Sequence, residues 1–138
     1  MRIGFTGTRT GMTAAQAATF AALAAAGDWA EFHHGDCVGA DDQSVAITAT
    51  MLPRCVLHLH PPTDERLRAH SELHHPHIVH PALPFLDRNA MIVAAADHLY
   101  ACPAEEVPQV HGGTWWTVRH AKRTKVPVTV ILPDGSLA

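Results

Sequence analysis

Short apolar runs alternate with helix-like stretches along all 138 residues. That alternation limits the fold more than any other feature, because strands separated by helices assemble into a parallel sheet covered on both faces. Arg2–Thr6, Trp29–His33, Val56–His60, His77–Val79, Leu99–Cys102 and Val126–Leu132 read as six strands. Thr13-Ala14-Ala15-Gln16 has the pattern of a capping box and Gly27 that of a stop, which predicts a first helix between them. Further helices are expected from about Ala40 to Met51, ended by Pro53, from Phe85 to Ala96, and from Thr114 to Thr124. In the helix from Phe85 to Ala96, Leu86, Ala90, Val93 and Ala94 recur at helical spacing and predict its buried stripe. No repeat or linker interrupts the pattern, so residues 1–138 read as one α/β domain with a mainly parallel sheet.

Composition excludes several classes. With 47% hydrophobic and 17% charged residues the chain is neither disordered nor fibrous. A formal charge of -3 weighs against a dedicated nucleic-acid binder, since clustered Lys and Arg supply most affinity for a polyanion. Twelve histidines confine that statement to neutral pH and above. The first residues lack a signal-peptide apolar region and Ala14–Ala26 is too short to span a bilayer, so a cytoplasmic protein with no membrane partner is expected. Cys37, Cys55 and Cys102 form no C-x-x-C pair and read as reduced thiols.

Ligands of parallel sheets bind where the strand-to-helix loops gather. Four such loops carry unusual chemistry: Gly7-Thr8-Arg9, Gly35 to Asp41, Asp87-Arg88-Asn89, and Gly112-Gly113-Thr114. In the last, glycines without Cβ let the backbone approach an anion at a helix N-terminus, and Thr114 adds a hydroxyl. A plain turn with Thr114 capping the helix is the structural alternative. Arg9 and Arg88 sit where an anionic partner would suit them, with surface ion pairs as the ordinary alternative. Asp36 and Asp41 are candidates for binding ribose hydroxyls, for holding a metal hydrate or for general base chemistry.

His58, His60, His70, His74, His75, His77 and His80 invite a zinc or nickel reading, with His70 and His74 at i,i+4. Pro76 breaks that pattern, and the stretch reads as a solvated histidine-rich loop with no metal site assigned. Arg119, Lys122, Arg123 and Lys125 complement a helix C-terminus. Of Trp115 and Trp116, neighbours about 100° apart on a helix, one is expected to face a ligand.

These loops, in this order, resemble the SLOG superfamily, which joins the DNA-processing protein A fold to the cytokinin-activating Lonely guy enzymes. The matching segments are Gly7-Thr8-Arg9, His34 to Asp41, Asp87 to Val93, and Gly112 to Arg119. The resemblance implies a three-layer Rossmann-like fold that binds a nucleotide or a related phosphorylated molecule and that dimerises in several branches. It places ligand contacts at Gly7, Thr8, Arg9, Gly35, Asp36, Arg88, Asn89, Gly112, Gly113 and Thr114. In the Lonely guy branch an arginine and a glutamate assist cleavage of a nucleotide N-glycosidic bond. Arg88 matches the arginine, but Thr117 stands at the glutamate position and supplies no carboxylate. The expectation is therefore a nucleotide-binding sensor or carrier. An N-glycosidic hydrolase using Asp36, Asp41 or Glu105 comes second, and a single-stranded DNA-binding module, disfavoured by charge, third.

Overall fold

A computed structural model describes residues 1–138. Its elements in chain order are β1 (Arg2–Gly7), α1 (Ala14–Ala26), β2 (Glu31–His34), α2 (Ala40–Met51), β3 (Val56–Leu59), β4 (Ile78–Val79), α3 (Phe85–Ala95), β5 (His98–Cys102), α4 (Gly113–Arg123) and β6 (Val128–Val130). The six strands form one all-parallel sheet in the order β4-β3-β2-β1-β5-β6. With four flanking helices this is the three-layer Rossmann-like architecture. The strand order reverses at β1, so the loops leaving β1 and β5 diverge to opposite faces and open a crevice between them.

The capping box forms as the sequence predicts: Gln16 N–H donates to Thr13 Oγ1 and Thr13 N–H to Gln16 Oε1, both at 3.0 Å. The Gln16 amide, buried, also donates to the carbonyls of Pro103 and Ile131, fastening α1 to the ends of β5 and β6. On the α1/α2 face Ile3, Phe5, Phe20, Trp29, Phe32, Val45 and Leu57 make one apolar core. On the α3/α4 face Ile92, Val93, Leu99 and Ala121 form one cluster, and Ala101, Trp115, Val118 and Val130 another. No helix is long and apolar enough to cross a membrane. All three cysteines are free thiols.

Three expectations change. Strand β2 begins at Glu31 rather than Trp29, because the Trp29 ring turns into the core and stacks on Phe32 with centroids 6.0 Å apart. The buried stripe of α3 is Arg88, Asn89, Ile92 and Val93, while Leu86 is 48% exposed and Ala94 is also exposed. Apolar periodicity misphased this helix because its inward face carries two polar side chains, Arg88 bonded to carbonyls at the strand ends and Asn89 bonded to Arg88. The histidine-rich stretch is not a solvated loop either. His60 is buried, and His70, in the left-handed region at φ 56°, precedes a short 3₁₀ turn, so His70 and His74 share no α-helical face.

Candidate functional site

The crevice at the carboxyl ends of the strands is a cleft of about 440 Å³. Its walls include Gly7, Thr8 and Arg9 after β1, Gly35, Cys37 and Asp41 between β2 and α2, Phe85, Arg88 and Asn89 of α3, and Glu105 with Gly112 to Trp115 after β5. Nearly all the residues singled out in the four loops therefore meet in one place.

Close packing of backbone makes this convergence possible. Gly39 has φ +92°, and a Cβ there would overlap the carbonyl of Arg9. The loop after β1 thus lies directly against the start of α2, an approach that Ala40 N–H secures by donating to Thr8 O at 3.0 Å. Gly35 is confined in the same way, between the guanidinium of Arg88 and the carboxylate of Asp41.

Arg88 is a buried cation. Its Nη1 donates to the carbonyls of Gly35 and, at 3.3 Å, His60, its Nε to Asn89 Oδ1 at 2.7 Å, and its Nη2 contacts Cys37 Sγ at 3.6 Å. Four of its five N–H groups are thereby engaged and one Nη2 hydrogen is left over. The Phe85 ring is close to both this guanidinium and that of Arg9, 5.6 and 5.2 Å from its centroid. Arg9 is exposed, and no carboxylate or carbonyl binds its head.

At the far wall α4 starts without a cap. Gly112, at φ +101°, occupies the N-cap position with no side-chain hydrogen bond, so Thr114 does not cap the helix. The N–H groups of Gly113, Thr114 and Trp115 open the helix with no side chain supplied to receive them. Thr114 also lines the cleft and its hydroxyl has no protein partner, and a Cβ built on Gly113 meets only Asn89 Nδ2, at 3.6 Å. Trp115 is the tryptophan on the cleft, donating its indole N–H to Glu105 at 2.8 Å, while Trp116 stacks on His120. Arg119 donates to the carbonyls of Gln109 and Val110 and so anchors the loop before the glycines.

The two aspartates separate. Burial pushes the Asp41 carboxyl up to about 6, against the opposing pull of Arg88 and the Cys37 N–H. Asp36, fully buried and at φ 57°, is absent from the cleft wall. Its carboxylate receives Arg68 Nε at 2.8 Å, the N–H groups of His70 and Ser71, and the Ser71 hydroxyl. Its role is to fold the connection from β3 to β4 against the sheet. Thr117 also stays out of the cleft, its hydroxyl bonded to Gly113 O at 2.7 Å. Phe85 and Cys37 escaped sequence reasoning, since nothing local distinguishes a cleft-lining Phe or Cys from a core one.

Comparison of the chain with protein-family models, with curated proteins and with solved structures found no match.

Proposed function

We propose that the cleft binds a nucleotide or nucleotide-derived phosphorylated small molecule, with its phosphate at the start of α4. The observation that carries this reading is the union of donors lacking acceptors: the first N–H groups of α4, the Thr114 hydroxyl and the Arg9 guanidinium. Helix N-termini favour anions through free N–H groups and the macrodipole. The volume suits a small organic ligand, and Phe85, half-buried on the cleft wall, offers apolar surface for its base. Asn89 and Asp41 supply a donor and a carboxyl for sugar hydroxyls. The resemblance to the SLOG superfamily supports the same reading, and with it a homodimer, which light scattering tests. Gly113→Asp is the decisive variant, because its Cβ has room while its carboxylate occupies the anion position. Nucleoside mono- and diphosphates are expected to raise the melting temperature of the native protein and not of Gly113→Asp. A panel that shifts neither protein, or both equally, overturns the reading.

A second reading, hydrolysis of a nucleoside monophosphate at its N-glycosidic bond, is favoured by two carboxyl groups on the cleft, Asp41 and Glu105. The carboxyl held at about 6 lies in the range of a general acid. Free base released from the common monophosphates, detected chromatographically, would establish it.

A further inference from the structure

Strand register gathers histidines from three separate segments on the sheet face that α3 and α4 share. His33 pairs with His58 across β2 and β3, and the β3–β4 ladder, in which His58 meets Ile78 and Leu59 meets Val79, continues with His60 beside His80. Leu57 and Phe32 point to the α1/α2 core, so Glu31, His33, His58, His60 and His80 occupy the opposite face. The outer half of that face is open, with Val56 44% and Ile78 50% exposed.

The rings are close and ordered. His33 stacks on His58 with centroids 4.2 Å apart, and His60 on His80 at 4.1 Å. His58 Nδ1 lies 2.9 Å from His80 Nε2, and His33 Nδ1 2.9 Å from His60 Nε2. One nitrogen from each of His33, His58 and His80 falls within 4.8 Å of the others. Glu31 Oε1 sits 2.8 Å from His33 Nε2 and 3.5 Å from His58 Nε2.

We propose that His33, His58 and His80 bind one divalent transition-metal ion of the zinc class, with Glu31 orienting the His33 ring. Imidazole donors select zinc, nickel, cobalt or copper over magnesium and calcium, which demand oxygen. A carboxylate on the far nitrogen of a ligand histidine is the usual outer partner of such sites, fixing tautomer and ring plane. The ion would join three adjacent strands and fasten β4, a two-residue edge strand. The three ligands are distinct from the cleft residues, so the site stands or falls independently of the nucleotide reading.

The test uses tag-free full-length protein stripped with a chelator and titrated with Zn²⁺ by calorimetry and with Co²⁺ by visible absorption. One equivalent is expected to bind, raise the melting temperature and give a cobalt d–d band. His58→Gln and His80→Gln, at half-buried positions, should each weaken binding at least about tenfold, and Glu31→Gln about ten- to a hundredfold. The double variant His74→Ala/His75→Ala in the neighbouring loop should bind as the native protein does. No binding by the native protein overturns the proposal, as does binding that survives both His58→Gln and His80→Gln or that disappears in the loop variant. Because the native titration and the cobalt spectrum need no variant, misfolding of one substitution leaves the proposal falsifiable.

Discussion

The guanidinium of Arg88 donates to the carbonyl of Gly35, joining the third helix to the loop that ends the second strand. The same nitrogen reaches the His60 carbonyl at the end of β3. A buried cation thus holds together the ends of two adjacent strands while lining one wall of the cleft.

Removing this cation should cost stability as well as ligand affinity. Arg88→Met leaves the Gly35 and His60 carbonyls without their donor and Asp41 without its nearby positive charge, an expected loss of about 2–4 kcal/mol. Urea denaturation measures it, and a loss below about 1 kcal/mol would mean that water replaces the guanidinium.

Arg9 should behave in the opposite way. With its head exposed and free of any carboxylate, Arg9→Ala is expected to change stability by less than about 0.5 kcal/mol. The same variant should weaken nucleotide binding, read by titration calorimetry. Unaltered affinity would remove Arg9 from the anion site.

Asp41 makes stability depend on pH in a defined direction. Its carboxyl is raised from 3.8 to about 6 on folding, so the folded state holds the proton more tightly. Its stabilising contribution is complete below pH 3.8 and is lost as pH rises through about 6. Besides Arg88, the groups bearing on it are the N–H groups of Cys37 and Gly35 and the Asp36 carboxylate. Asp41→Asn should flatten that decline, with a difference of about 2 kcal/mol between pH 4 and pH 8. Parallel stability–pH curves for the two proteins would contradict the assignment.

Two glycines with positive φ should differ in tolerance. At Gly112 an added Cβ meets nothing within 4 Å, so Gly112→Ala carries backbone strain alone, about 1–3 kcal/mol. Gly39→Ala adds overlap with the Arg9 carbonyl and should destabilise more. Thermal unfolding of the two variants ranks them, and equal losses would show that the loop after β1 yields.

Much of the fold was legible in local pattern. Alternating apolar runs located all six strands, and the Thr13–Gln16 pair announced α1 down to its cap. Glycine-bearing loops also marked the cleft, because only loops at strand ends can converge there. Asp36 and Asp41 could not be told apart, since both lie in the short polar segment from the end of β2 to the first turn of α2 and only the left-handed turn at Asp36 sends its carboxylate away. His33 went unnoticed for a related reason: a histidine at the end of an apolar strand looks like part of the core. The available signal was period-two polarity, with Glu31 and His33 on β2, His58 on β3 and His60 directly after it, in strands that a doubly covered parallel sheet would make apolar on both faces.

The sequence by itself determined the βα alternation, the helix boundaries set by Thr13, Gly27 and Pro53, and the glycine turns that admit close backbone approach. These follow from interactions within a few residues, where propensity, capping and periodicity act. Only the tertiary structure decided which side of α3 is buried, which aspartate reaches the cleft, and that His33, His58 and His80 become neighbours. Those outcomes depend on hydrogen-bonded register between strands and on which helix covers which half of the sheet, and neither is encoded by spacing along the chain.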